Sequence, residues 1–190
     1  MQIEDLIELA KRVQAQQAEA QTIEVKAAHR SCPSKLRDTL SSFSNQNSGG
    51  ILLFGLDENE HFTAVGVYDL QDLQKKVTEQ CNQMQPPVRA LFTTAEYEGV
   101  WICSAEIPSV AYSERPCYYI GAGIQNGSYV RVGDADRHMT DYEIYCFEAY
   151  RNHMHDDERV IERATADFLD KDLLNAFLTE RRISRVDSAI

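Results

Sequence analysis

The stretch SFSNQNSGGILLFGLDENE, residues 42–60, decides the fold. ILLFGL at 51–56 is an unbroken apolar run of strand length, which predicts a central strand buried on both sides. Upstream, Leu36, Leu40 and Phe43 recur at helical spacing, so a helix should run from about Lys35 and close within SNQNSGG (44–50), where asparagine and glycine accept the backbone that ends helices. Downstream, Asp57-Glu58-Asn59-Glu60 supplies turn chemistry.

Working outward, TIEVKAA (22–28) alternates Ile23 and Val25 against Glu24 and Lys26, the period of a half-buried strand, and puts Glu24 and Lys26 on one face. Ile3, Leu6, Ile7, Ala10 and Val13 predict an amphipathic helix over 3–16 with a glutamine-rich frayed end. After the turn at 57–60 a strand is expected near 62–67. Asp69 then caps a helix with the inward stripe Leu70, Leu73, Val77, Cys81 and Met84, which Pro86 and Pro87 stop. Strands near 88–95 and 100–107 flank a tight turn at Glu98-Gly99, and strands near 116–120 and 128–132 flank a glycine-containing loop. Thr140 and Glu143 form a capping box for a helix through Tyr150.

This order is not a regular βαβ repeat. The expected fold class is α+β, with a mixed, largely antiparallel sheet, packed helices and a helical C-terminal extension. Residues 1–150 read as one domain. From Arg151 the polar, weakly periodic RNHMHDDERVIERATAD precedes a short helix marked by Leu173, Leu174, Phe177 and Leu178. Residues 151–190 therefore read as a linker and short helical extension leading to further domains.

Composition narrows the function classes. A 43% apolar content is enough to fill a core. Met1 leads straight into Glu4, Asp5 and Glu8, and no apolar run approaches membrane-spanning length, so a soluble cytoplasmic chain without a membrane partner is expected. Cys32, Cys81, Cys103, Cys117 and Cys146 include no Cys-x-x-Cys pair and read as reduced packing residues rather than a disulfide framework or a zinc site. The net charge of −11 opposes a conventional DNA-binding domain, because neutralising phosphate needs clustered lysine and arginine. The charge is uneven, however. Residues 26–37 carry Lys26, Arg30, Lys35 and Arg37 with no acid, whereas 51–100 hold eight acids against three bases. The basic stretch reads either as a local phosphate-tracking face or as a solvated loop.

Other groups also carry two readings. Glu24 and Lys26 form either part of a site or a surface ion pair. Asn45, Asn47, Ser48, Gly49 and Gly50 form either a backbone cradle for phosphate or a helix cap and turn. Arg131, on a short strand with Tyr129 on the same face, can contact phosphate beside a stacking ring or make a cross-strand salt bridge. GAGIQNG (121–127) lies between strands without opening a helix, so it lacks the dinucleotide fingerprint, and no Walker A lysine motif occurs. His153, His155, Asp156 and Asp157 fall in the polar linker and read as solvated. Asn126-Gly127-Ser128 is formally a glycosylation sequon, without consequence in a cytoplasmic chain.

TIEVK (22–26), SFSNQNSGGILLFGLDENE (42–60) and GSYVRVGD (127–134), in this order, resemble the AlbA-like DNA-binding domain of Schlafen proteins and bacterial divergent-ATPase regulators. The shared pattern is a Glu-x-Lys strand, a helix ending in Phe-x-Asn and Gly-Gly, an apolar strand closing in Gly-x-Asp, and a late Tyr-x-Arg-x-Gly. The likeness covers about 19–150. The stretch between Asn45 and Gly49-Gly50 is a residue longer than the commonest family pattern.

The resemblance implies a nucleic-acid-binding module of a transcriptional regulator, with Lys26, Arg30, Lys35, Arg37, Asn45 and Arg131 toward DNA or RNA. Such relatives often continue into an ATP-binding domain and a winged helix. In Schlafen ribonucleases an acidic trio holds a divalent metal, and the matching positions here are Glu19, Glu24 and Asp57, which imply magnesium or manganese if the chain is a nuclease. The alternatives are thus a metal-dependent nuclease and an oligomerisation or interaction platform, a homodimer among its forms, that binds no nucleic acid.

Overall fold

The computed structural model describes residues 1–152 and 169–181. Most of the expected linker, including His153, His155, Asp156 and Asp157, lies outside the described residues. The chain divides into two compact units, Met1–His153 and Met154–Ile190.

The first unit begins with α1 (Ile3–Gln16), β1 (Ile23–Lys26), α2 (Arg37–Asn45), β2 (Gly50–Phe54), β3 (Leu56–Asp57), β4 (Thr63–Ala64) and α3 (Leu70–Cys81). It continues through β5 (Met84–Gln85), β6 (Leu91–Tyr97), β7 (Val100–Ile107), β8 (Tyr118–Tyr119), α4 (Gly123–Gly127), β9 (Tyr129–Val132), β10 (Ala135–His138) and α5 (Asp141–Arg151). In the second unit, α6 (Lys171–Glu180) is capped by the Asp170 carboxylate, which accepts from the Asp172 and Leu173 amides. Leu173, Leu174 and Phe177 of this helix are exposed.

The fold is α+β and its main sheet is mostly antiparallel. Four strands stand in the order β1-β2-β7-β6. β1 and β2 run parallel, with Ile23 opposite Ile51, because α2 carries the chain back between them; both remaining pairings are antiparallel. Alternation along β2 explains the unbroken apolar run. Leu52 and Phe54 join Leu36, Leu40 and Phe43 of α2 and Leu73 and Val77 of α3 in one core layer. Leu53 joins Leu6, Leu9, Ala10 and Val13 of α1, with Ile23, Val25 and Ile102, in the other. Helices thus cover both faces of the central strand.

The corner between α2 and β2 depends on two glycines for different reasons. Gly49 has φ +65°, and a Cβ there would lie 2.3 Å from the Ile107 carbonyl oxygen. Gly50 has ordinary φ, but its Cβ would fall 2.3 Å from the Phe43 ring. The SNQNSGG segment therefore serves as a turn, with the Gln46 amide donating to the Gly49 carbonyl at 2.6 Å.

Several boundaries differ from the sequence reading. The strand expected at 62–67 shrinks to Thr63–Ala64, because His61 and Phe62 adopt positive φ and the Val65 and Val67 amides bond to the Gly55 and Trp101 carbonyls. β6 starts at Leu91, later than expected, since the Val88 amide still bonds to Cys81 at 3.2 Å. The strand expected at 116–120 is confined to Tyr118–Tyr119, and GAGIQNG contains the short α4 where a plain loop was expected. Burial raises the Cys103 and Cys117 thiols to about 12 and Cys81 to about 11, as befits packing residues. Among the described residues no helix is long and apolar enough to cross a membrane.

Candidate nucleic-acid interface

Most of the residues singled out by sequence fall in two regions: a buried ionic network at the end of β1, and the acid-free stretch that follows it.

The network centres on Arg131, whose side chain is 1% exposed. Pairing of β9 with β10 sets Arg131 opposite Asp136, and Nη1 donates to Asp136 Oδ1 at 3.0 Å. Nη2 pairs with Glu24 at 2.9 Å, lies 3.8 Å from Glu19 and donates to the Ile23 carbonyl at 3.3 Å. The guanidinium sits over the Phe43 ring, 5.2 Å from its centroid, and Nε makes no hydrogen bond. Thr39 and Ser42 of α2 donate to the Asp136 carboxylate at 2.7 and 2.6 Å. Burial works against the charge on Arg131, but Asp136 and Glu24 more than offset it and raise its pKa. Arg131 is therefore a clamp between β1, α2 and β10, its guanidinium turned inward and engaged in the cross-strand pair with Asp136.

Glu24 also pairs with Lys26. Glu19 accepts from the Val25 amide at 2.7 Å. Burial, then the nearby charges of Glu24 and Glu58, lift its carboxyl from 4.5 to about 7. Arg131 Nη2 at 3.8 Å does not reverse this, being already committed to Glu24. Asp57 caps the turn that follows it, accepting from the Asn59 amide at 3.0 Å. The three carboxylates named by the family likeness thus do not fit a metal as they stand. Two face an arginine in the position a cation would take, the third caps a turn, and among the described residues no group of three or more His, Cys, Asp or Glu is placed to hold one.

Asn45 is buried as well. Its amide donates to the carbonyls of Cys117 at 2.9 Å and Tyr129 at 3.1 Å, and its Oδ1 accepts from the Cys117 amide at 2.7 Å. Ser41 extends the clamp, donating to the Cys117 carbonyl and accepting from the Tyr129 amide. The asparagine ties α2 to the approach to β8 and to β9, and has no free group for phosphate.

The remaining basic residues reach the surface. Arg30 and Lys35 are exposed, Lys26 is partly exposed beside Glu24, and Arg37 is 42% exposed. The Arg37 guanidinium lies over the Tyr119 ring, 4.9 Å from its centroid. It lines a cleft of about 400 Å³ together with Cys32, Lys76 and Gln80. Lys76, Tyr119 and Asp136 were missed from sequence. Lys76 carried no signal beyond its place on the outer side of α3, while Asp136 could be reached only by pairing YVRV with the polar ADRH as a hairpin.

The Schlafen AlbA_2 family pattern matches residues 19–140. The N-terminal domain of a RecG-related protein from Nitrosomonas europaea, solved in solution, aligns with a TM-score of 0.55 at 23% identity, over 71% of this chain and 93% of that one, which establishes a likeness of fold. A Corynebacterium diphtheriae crystal structure aligns with a TM-score of 0.49 at 17% identity, over 93% of this chain but 34% of that one, so this chain spans about a third of its length. No curated protein matches significantly. With the family pattern running from Glu19 to Thr140, across the main sheet and the Arg131 clamp, the chain belongs to the Schlafen AlbA_2 family.

Proposed function

We propose that residues 1–150 form a nucleic-acid-binding module of a cytoplasmic transcriptional regulator, contacting phosphates through Arg30, Lys35 and Arg37 with Lys76 beside them. The observation that carries this reading is the exposure of an acid-free stretch on an otherwise acidic chain, within a domain of this family. Screening at physiological salt limits repulsion from distant carboxylates to roughly 8 Å, so a local cluster can act against the sign of the whole. Arg37 on Tyr119 adds a stacking surface, which favours single strands.

A second reading is a metal-dependent nuclease. It is favoured by the Glu19 carboxyl near neutrality beside Glu24, but opposed by the position of Arg131 and the use of Asp57 as a turn cap. Titrating the full chain against labelled single- and double-stranded DNA and RNA, with and without manganese, separates the readings. Binding without cleavage supports the module, manganese-dependent cleavage lost in Glu24→Gln supports the nuclease, and absence of both leaves an interaction platform.

A further inference from the structure

We propose that the cleft between the start of α2 and the segment from Gly121 to Tyr129 receives one unstacked nucleobase of a single-stranded nucleic acid, guanine in preference to the others. This rests on the nucleic-acid reading above and adds to it a site for the base rather than for phosphate. The cleft has a volume of about 350 Å³, at the small end of ligand sites, and is lined by Arg37, Asp38, Tyr119, Asn126 and Tyr129.

Its surfaces suit a flat π system. Tyr119 carries the Arg37 guanidinium on its ring, so the two present a stacking platform of the kind single-stranded bases use. Tyr129 is held against His138, with ring centroids 4.3 Å apart and the phenol 3.2 Å from Nε2. Two glycines keep the loop close to Tyr119. A Cβ at Gly121 would come 2.5 Å from the Tyr119 ring, and one at Gly127 would come 2.6 Å from the Tyr119 carbonyl oxygen.

The polar groups set the preference. Asp38 brings a partly exposed carboxylate beside the Tyr129 phenol, whose pKa burial and then Asp38 raise; Asp38 Oδ1 is buried without a hydrogen bond, 3.7 Å from Arg37 Nε. An acceptor-only group lining the same cleft as the exposed Asn126 amide matches an edge with adjacent N–H donors and one carbonyl, which guanine presents. The same carboxylate repels a phosphate, so the cleft is chemically distinct from the basic face. Arg37 lines both clefts and joins them, so a strand tracking Arg30 and Lys35 can deliver a base here.

The test uses the full chain and two probes: guanosine, which has no phosphate, observed by amide chemical shifts, and a labelled single-stranded oligonucleotide with either guanine or an abasic site at one position. Guanosine should shift the amides of Tyr119, Gly127 and Tyr129. Oligonucleotide affinity should fall about tenfold or more on removing the base or in Tyr119→Leu, with the salt slope unchanged. Asn126→Ala, at an exposed position that leaves folding intact, should erase the preference for guanosine over adenosine.

If the abasic strand and both variants bind as the intact pair does, and guanosine shifts nothing, the base site is overturned while the phosphate face stands. If no oligonucleotide binds but guanosine still shifts those amides, the base site stands and the phosphate face falls. If neither probe binds, both fall.

Discussion

Arg131 shows how a residue singled out by sequence can be held within the fold by its ion pairs. Its burial between Glu24 and Asp136 makes it the counter-charge that lets these two carboxylates lie inside the fold. Arg131→Met should therefore cost about 3–5 kcal/mol, the usual result of stranding buried charge, read as a fall in the urea midpoint. A loss below about 1 kcal/mol would show that the clamp is dispensable. Glu19 makes the complementary prediction. Its folded carboxyl titrates near 7, above its ordinary 4.5, so between these values the folded state holds a proton that the unfolded chain has released. Its contribution to stability is full below about 4.5 and is lost as pH rises through 7. Glu19→Gln keeps an acceptor for the Val25 amide and should make the chain more stable than the parent at pH 8, by on the order of 1–3 kcal/mol, with little change at about pH 4.5. Equal stability of the two at every pH would contradict the account.

Among elements, the corner from α2 to β2 was the most legible. The apolar run at 51–56, the helical stripe before it and the glycine pair each have one natural reading, and they agree. What periodicity could not supply was which glycine needs positive φ. That is Gly49, since Gly50 is required by the Phe43 ring. Gly49→Ala should cost about 1–3 kcal/mol by thermal melting, the usual penalty for enforced positive φ, with the close Ile107 carbonyl adding to it; an unchanged midpoint would mean that the corner adopts another geometry. The site was less legible than the fold. Glu24 and Lys26 could be placed on one face because a strand alternates with period two. The burial of Arg131 and Asn45 could not be read, because it depends on α2, β9 and β10 meeting across long sequence separations. Exposed residues such as Arg30 and Lys35 were legible, since an acid-free stretch needs no tertiary information.

At the scale of the whole molecule, the net charge of −11 and a nucleic-acid-binding face are compatible only if binding is local and salt-sensitive. With Arg131 buried, the proposed face rests on Arg30, Lys35 and Arg37, with Lys76 nearby and itself paired with Asp72, a small set for which modest affinity is expected. The most direct measurement is the salt dependence of binding to a single-stranded oligonucleotide, for the parent chain and for Arg30→Ala/Lys35→Ala. A log–log slope of about −2 to −3 is expected for the parent, since each phosphate neutralised on a single strand contributes about −0.7. In the double variant the slope should flatten by about 1.4, because two phosphates keep their counterions. No salt-dependent affinity at low ionic strength, or a slope the double variant leaves unchanged, would contradict the proposed face.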